Sequence, residues 1–107
     1  MNLWGNVKNQ EYDEVIQAIE SGVDINSTIG QSKFTMLMTV RDCGMLDLLT
    51  ELGADWCQRD SVGRDLIDHL ESRGSDVSKK LLKYIKWKYP EKFKEHLTRK
   101  EADKYNI

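Results

Sequence analysis

Residues 53–66 read GADWCQRDSVGRDL and lie between two apolar segments with helical spacing. The stretch holds two glycines, three aspartates and a tryptophan, but no set of side chains that is typical of a catalytic loop. Gly53 directly follows the first apolar segment, and glycine readily takes the left-handed conformation with which many helices end. The stretch therefore predicts a helix end at Gly53, a protruding turn, and a new helix from Gly63 onwards.

The same helix end occurs once earlier in the chain. GVDIN at 22–26 returns as GADWC at 53–57, so the offset is 31 residues. Each copy follows an apolar helical pattern, EYDEVIQAIES before the first and MLDLLTEL before the second. Protruding turns are expected after them at 27–32, the first finger, and at 58–62, the second finger. A recurrence at a fixed period is typical of repeat proteins, whose stacked units bury a shared core.

A new helix is expected after each finger, the first of them from 32–38. Thr35 and Asp65 stand where an N-cap oxygen would accept hydrogen bonds from free backbone N–H groups. Ser75 or Asp76 would cap a further helix, SDVSKKLLKYIKW, which carries its own apolar stripe. The predicted order is therefore helix, helix, finger, repeated once, and then a last helix pair.

TMLMTV at 35–40 and LLTELGADWCQRDSVGRDLIDHL at 48–70 resemble the ankyrin repeat family. The first is similar to that family's TPLHxA helix opening, and the second to its LLLxxGADVNAxDxxGxTPLHxA junction. The resemblance covers about residues 3–87 and implies an all-α, ankyrin-like stack of helix pairs, an α-solenoid with finger turns. We expect a repeat domain at 1–89 and a basic C-terminal helix or tail at 90–107, packed as a cap on the last repeat.

Some positions depart from the family pattern. Met36 stands where the family has proline and Met38 where it has histidine, and Trp56-Cys57 replaces valine-asparagine. The offset of 31 residues is also shorter than the family period of about 33. We therefore expect a shortened turn near residues 42–44, inside the middle helix pair.

In ankyrin-like stacks the fingers and the inner helices form a concave surface that binds partner proteins. The resemblance therefore implies a protein-binding module, a small inhibitor or adaptor. Trp56 is left open, because it is either a core residue or a contact residue, and tryptophan and arginine are both common among binding hot spots. The positions carried over to the partner-binding surface are Lys33, Met38, Arg41, Trp56, Gln58, Arg59, Asp60 and Arg64.

Charge is distributed unevenly along the chain. Residues 1–77 hold six basic and fourteen acidic side chains, whereas residues 78–107 hold ten basic and four acidic ones. The acidic body would attract a partner with a basic surface, or it would only keep the protein soluble. Its carboxylates across the middle and last repeats are Asp47, Glu51, Asp55, Asp60, Asp65, Asp68 and Glu71.

The basic C-terminal segment leaves alternatives open. Its lysines alternate with aromatic residues such as Tyr84 and Trp87, a mixture that binds phosphate backbones and stacks on bases. A nucleic-acid-associated protein is therefore one alternative function, and a partner-contact tail is another. The structural interpretation is a capping helix that ends near Pro90, followed by a short helix from which Phe93 and Leu97 fold back on the stack.

The sequence holds none of the usual catalytic or cofactor motifs, neither GxSxG nor GxxxxGKS/T nor GxGxxG. His69 and His96 lack HExxH spacing, and His69 is expected to be structural. A metal shared by His69, Cys43 and Cys57 matches no zinc spacing, and a hidden nuclease-like set of carboxylates and lysine is the remaining catalytic alternative. We expect no enzyme activity, no cofactor and no metal.

Composition indicates one folded domain, because 39% of the 107 residues are hydrophobic and 32% are charged. No apolar run reaches the roughly 20 residues that span a bilayer, and the first residues lack the parts of a signal peptide. The expected location is cytoplasmic, in the host cell if the protein is viral, with two reduced cysteines. A phage or bacterial protein that blocks a host defence or regulatory protein is a further alternative function.

Overall fold

The computed structural model describes residues 3–105, apart from the side chains of Asp103 and Tyr105. The protein is mostly helical, with 61% helix and one small two-stranded sheet, which agrees with the expected helical class. Within the described range no helix is long and apolar enough to cross a membrane. The elements in chain order are α1 (Leu3–Lys8), α2 (Tyr12–Glu20), β1 (Thr28–Ile29), β2 (Phe34–Thr35), a 3₁₀ turn (Leu37–Thr39), α3 (Cys43–Glu51), α4 (Leu66–Arg73), α5 (Asp76–Lys88) and α6 (Pro90–Tyr105).

The two glycine junctions have the same backbone structure. The N–H groups of Val23 and Ala54 each donate to the carbonyl five residues earlier, at 3.1 and 2.9 Å. Gly22 and Gly53 hold φ angles of 108° and 99°, which a residue with a Cβ rarely adopts. In both copies the following aspartate side chain accepts the N–H two residues further on, at 2.9 and 2.8 Å. The predicted helix ends at both glycines are confirmed.

The two fingers lie side by side. β1 and β2 pair antiparallel, so that the first finger lies at the turn of a β-hairpin. The N–H of Ser61 in the second finger donates to the carbonyl of Ser32 in the first at 2.9 Å. Closer to the helices, the N–H of Asp55 donates to Oδ1 of Asn26 at 2.7 Å. Backbone N–H groups of the second junction and finger thus find acceptors on the first.

The helix predicted from 32–38 is wrong, because strand β2 and a single 3₁₀ turn take its place. Thr35 lies in β2 instead of capping a helix, and Val40 returns to extended backbone with ψ 145°. Both residues are β-branched and favour extended conformations. They leave too few residues for a full helix before Asp42, the N-cap of α3. The shortening expected near 42–44 therefore lies earlier in the chain, where the 3₁₀ turn at Leu37–Thr39 takes the place of the first helix of the expected middle pair.

The helix starts expected at Asp65 and Ser75 are confirmed. Asp65 and Asp68 form a capping box, in which each side chain accepts the other residue's N–H, at 2.9 and 3.1 Å. The hydroxyl of Ser75 accepts the N–H of Ser78 at 3.1 Å. These caps fix the residues at which α4 and α5 begin.

One apolar core runs through the helices and the 3₁₀ turn. Neighbouring elements in contact include α1 with α2, α4 with α5, and α5 with α6, while the 3₁₀ turn contacts both α1 and α4. Burying each large aliphatic side chain stabilises the fold by about 1.5–3 kcal/mol. The fully buried side chains include Val7, Val15, Met36, Met45, Leu46, Leu49, Leu66, Leu70, Leu81 and Ile85.

The C-terminal helix is longer than expected and faces the core with a different residue. Pro90 is the first residue of the 16-residue α6, a position where proline favours helix formation because its N–H is not needed. Phe93 packs against the core as predicted. Leu97 does not, because it is 51% exposed. His96, one residue earlier, is 1% exposed and takes the inward position.

Candidate functional site

The residues predicted for the partner surface separate into an accessible and a buried group. Trp56 was left open between core and contact, and the structure places it in the core. The expectation of exposure is wrong for Met38 and Asp60. The accessible residues are Lys33, Arg41, Arg59 and Arg64, with Gln58 half-buried, and the buried ones are Met38, Trp56 and Asp60.

Met38 is only 1% exposed because the 3₁₀ turn, which replaces the expected helix, directs its side chain inwards. Its sulfur accepts the N–H of Thr35 at 3.5 Å. Its carbonyl accepts Nη2 of Arg73 at 2.7 Å. The Met38 side chain is therefore closed to a partner, and its carbonyl serves as the acceptor for Arg73.

Trp56 is a core residue that ties the second junction to α5. Its ring lies 5.2 Å from the ring of Tyr89, measured between centroids. Its indole Nε1 donates to the hydroxyl of Thr50 at 3.1 Å, so the polar atom of the ring is satisfied. Ile25, at the equivalent position of the first junction, is buried as well. Ile25 and Trp56 therefore occupy the same core position in the two junctions, and Trp56 has the larger side chain.

Asp60 organises the second finger from within. Its carboxylate accepts the backbone N–H groups of Val62 and Arg64 at 3.0 and 2.9 Å, and Nε of Arg64 at 3.2 Å. Nε2 of His69 completes the set at 2.9 Å. Burial alone would raise the pKa of Asp60, but the hydrogen bonds from Arg64 and Val62 stabilise the carboxylate more, so this pKa is lowered. The side chain holds the turn and is closed to a partner.

His69 has the structural role expected from the sequence. Its ring packs edge-on against Phe34, with centroids 5.1 Å apart, and donates to Asp60. Burial lowers the pKa of His69, and the Asp60 carboxylate opposes this effect only in part. His69 therefore connects α4 to the second finger through this bond.

A cationic cleft lies where α1, the 3₁₀ turn, α4 and α5 meet. It encloses a cavity of about 470 Å³. Three basic side chains, Lys8, Arg41 and Arg73, face it, and its other polar lining consists of hydroxyl groups. Among the described residues no carboxylate lines this cavity. The hydroxyl-bearing lining residues are Thr39, Ser75 and Ser78.

The charges in the cationic cleft are crowded. Burial lowers the pKa of Arg73, and the nearby guanidinium groups of Arg41 and Arg64 lower it further. Arg73 is nonetheless charged, since guanidinium groups keep their proton at any ordinary pH. Within the described part of the chain Arg41 makes no ion pair. Like charges held together in this way attract an anion that can bridge them.

Asp47 holds the end of α5 against α3. Its carboxylate accepts the hydroxyl groups of Tyr84 and Tyr89 at 2.6 and 2.5 Å and pairs with Lys88 at 2.9 Å. Burial would raise the pKa of Asp47, but these three donors lower it below its ordinary value. Trp87, by contrast, is 76% exposed. Part of the basic aromatic segment is therefore used inside the protein.

His96 brings α6 onto the start of α4. Its Nδ1 lies 2.8 Å from Oδ2 of Asp65, an oxygen that also accepts Nη2 of Arg99 at 3.0 Å. Its Nε2 points towards Glu71 Oε1 at 3.3 Å and Asp68 Oδ1 at 3.9 Å. We call His96, Asp65, Asp68 and Glu71 the histidine cluster; it borders a second cavity of about 540 Å³.

Most of the acidic side chains expected to attract a basic partner are bonded inside the protein. Of the seven acidic side chains named from the sequence, Asp47, Asp55, Asp60, Asp65 and Asp68 accept hydrogen bonds inside the protein, and Glu71 lies 3.3 Å from Nε2 of His96. Asp47 binds two tyrosines and a lysine, and Asp60 binds its own finger. Asp65 and Asp68 cap α4 and pair with groups of α6. The accessible residues among those predicted for the partner surface are mostly cationic.

The sequence interpretation missed Lys8, Arg73 and the histidine cluster. Asp65, Asp68 and Glu71 recur every three residues, a spacing that places carboxylates on one side of a helix. That spacing was a signal for the acidic half of the cluster. The approach of His96 depends on how α6 packs, for which the sequence has no local pattern. Among described residues the group near enough to share an ion is Asp65, Asp68 and His96, without His69 or either cysteine.

No protein-family model matches the chain, and no curated protein matches it. The ankyrin resemblance therefore stays a prediction from the motifs at 35–40 and 48–70.

Proposed function

We propose that this protein is an ankyrin-like binding module, a small inhibitor or adaptor, whose cationic cleft receives an acidic segment of a partner protein. The observation that carries the proposal is the placement of Lys8, Arg41 and Arg73 around one cavity that, in the described part of the chain, has no lining carboxylate. Guanidinium groups bind carboxylates in a bidentate, charge-assisted geometry. Aspartate or glutamate side chains of a partner would satisfy the crowded cations of the cleft.

The repeated local structure supports an ankyrin-like arrangement. Both glycine junctions use the same hydrogen bonds 31 residues apart. The two fingers bond to each other through Ser61 and Ser32. These features are what stacked units with protruding turns require. Arg41, which was predicted for the partner surface, lines the cleft, and Arg64, also predicted there, lies at the neighbouring cavity.

A fluorescence anisotropy titration tests the proposal. The probe is a fluorescein-labelled peptide of repeating Glu-Gly, compared with its Gln-Gly counterpart and with a labelled single-stranded oligonucleotide. We expect the Glu peptide to bind and the Gln peptide not to bind. Arg41→Ala should lower the affinity for the Glu peptide about tenfold, since one charge-assisted contact contributes about 1.5 kcal/mol or more. Lys83→Ala, an exposed lysine away from the cleft, is the matched control.

Salt and competition decide between the partner classes. Binding of the Glu peptide should weaken between low and physiological ionic strength, because the contacts are partly exposed charge pairs. No binding at low salt would overturn the cationic cleft as the site. Tighter binding of the oligonucleotide, lost in Lys83→Ala and kept in Arg41→Ala, would favour the nucleic-acid alternative on the C-terminal helices.

A further inference from the structure

The histidine cluster contains a buried nitrogen with no hydrogen-bond partner. Within the described part of the chain, Nε2 of His96 makes no hydrogen bond. The ring is 1% exposed, so water does not readily satisfy this atom. A buried polar atom without a partner costs free energy, which makes such atoms rare in folded proteins. The nitrogen therefore points to a ligand that supplies the missing interaction.

The tautomer of His96 follows from its surroundings. Asp65 uses Oδ1 to accept the Asp68 N–H and Oδ2 to accept Arg99 and the His96 ring. Since this carboxylate accepts throughout, Nδ1 of His96 must donate. In the neutral ring the lone pair then lies on Nε2, facing the oxygens of Asp68 and Glu71. A lone pair facing carboxylate oxygens is repulsive unless a metal cation lies between them or a proton binds Nε2, and the two cases differ in what the ring nitrogens carry.

We infer that the histidine cluster is a site for a divalent transition-metal ion of the zinc type, with Nε2 of His96 and Asp68 as ligands in place and Glu71 as a third ligand that turns towards the ion. In this arrangement Asp65 orients the ring through Nδ1, as carboxylates commonly do for metal-binding histidines. Neighbouring ligand atoms in a tetrahedral zinc site lie about 3.4 Å apart, given bonds of about 2.0–2.2 Å. Nε2 lies 3.3 Å from Glu71 Oε1 and 3.9 Å from Asp68 Oδ1.

Lys100 would compete with a metal ion for Asp68. Nζ of Lys100 lies 2.6 Å from Oδ1 of Asp68, where it supplies positive charge to the cluster. Lys100 is exposed and can move away, whereas His96 and Asp65 are held in the core. Glu71 is 51% exposed on its side chain and is free to turn towards the ion and complete the ligand set. Removing the lysine should therefore strengthen metal binding, an effect that few structural roles would produce.

Calorimetric titration with ZnCl₂ tests the inference. All samples carry Cys57→Ser, because thiolates are zinc ligands and this thiol is exposed. We expect one ion per chain, about tenfold weaker binding in Glu71→Gln and about tenfold tighter binding in Lys100→Ala. Glu14→Gln on α2 is the matched control and should leave the affinity unchanged. Both test residues lie at the surface, so their variants should fold.

The ¹⁵N chemical shifts of the His96 ring give a second readout. Zinc should shift Nε2, the nitrogen that carries the lone pair, and leave the pattern of a protonated Nδ1. Absence of zinc binding, or binding that neither Glu71→Gln nor Lys100→Ala changes, would overturn the site. So would a ring that is protonated on both nitrogens at neutral pH, since a proton would then supply the missing partner. None of these outcomes bears on the cationic cleft.

Discussion

The hydroxyl of Tyr89 donates a 2.5 Å hydrogen bond to Oδ1 of Asp47, 42 residues earlier in the chain. This bond ties the end of α5 to the middle of α3. Tyr84 and Lys88 bind the other oxygen of the same carboxylate, at 2.6 and 2.9 Å. One half-buried acid thus holds the end of α5 next to the second junction, where Trp56 packs against Tyr89.

Replacement of Tyr89 by Phe should lower the free energy of unfolding by about 1–2 kcal/mol, because a hydrogen bond to a charged acceptor is lost while the ring stays. Urea unfolding followed by circular dichroism measures the change. Trp87→Phe, at a 76% exposed position of the same helix, should stay within about 0.5 kcal/mol of wild type. Equal stability of Tyr89→Phe and wild type would show that the Asp47 bond does not stabilise the fold.

The protein should lose stability below about pH 6.5, the ordinary pKa of histidine. Burial lowers the pKa of His69 in the folded state. As the pH falls, the unfolded chain therefore protonates His69 before the folded protein does. The contribution of His69 to stability is complete above the pKa of the unfolded state, and it is lost as the pH falls through the pKa of the folded state. His69→Gln, whose amide can still donate to Asp60, should flatten this part of the pH profile.

Two measurements check the pH dependence. Urea unfolding between pH 7.5 and pH 5 gives the stability profile of wild type and His69→Gln. An NMR titration of the His69 ring gives its folded pKa directly. A midpoint at or above about 6.5 would contradict the direction expected from burial.

The two glycine junctions should respond alike to alanine. Gly22→Ala and Gly53→Ala should each lower the free energy of unfolding by about 1 kcal/mol or more, because alanine is strained at positive φ. A Cβ at either position would touch no neighbour within 4 Å, so the cost lies in the backbone. Gln10 is a non-glycine residue with a positive φ of 62°, so Gln10→Gly should raise the free energy of unfolding. Thermal unfolding of the three variants checks the signs, and unequal losses at the two glycines would contradict structural equivalence.

Asp65→Ala should be the most damaging of the cap substitutions. It removes the N-cap of α4 and leaves Nδ1 of His96 and Nη2 of Arg99 without their acceptor, while Nη1 of Arg99 still donates to the Cys57 carbonyl. We expect a loss of about 2–4 kcal/mol, the sum of a cap and of buried donors left unpaired. Ser75→Ala removes a cap and the hydrogen bond that its hydroxyl donates to Ser78, and should cost about 1 kcal/mol. Similar losses in both variants by urea unfolding would mean that Asp65 acts only as a cap.

The local signals in the sequence identified the helix ends and most caps correctly. Glycine after an apolar helical pattern predicted both junctions, and Asp65 and Ser75 were recognised as caps because their effect depends on neighbours within a few residues. Thr35 was wrongly read as a cap, since β-branched residues on a hairpin favoured extended backbone. Leu97 was assigned to the core and His96 was not, because the helical pattern of α6 does not say which side its neighbours cover.

By itself, the sequence determined the helical class, the 31-residue recurrence, the helix ends at Gly22 and Gly53 and the helix starts at Asp65 and Ser75, since these depend on backbone preferences and short-range hydrogen bonds. Only the tertiary structure decided which charges remain available. Asp60, Asp65 and Asp68 lie in one short stretch and looked like a uniform acidic surface, yet the fold places them against backbone donors, arginines and histidines. It also gathers Lys8, Arg41 and Arg73 from distant segments. Electrostatic interactions follow distance in space, and that distance is set by packing and not by position along the chain.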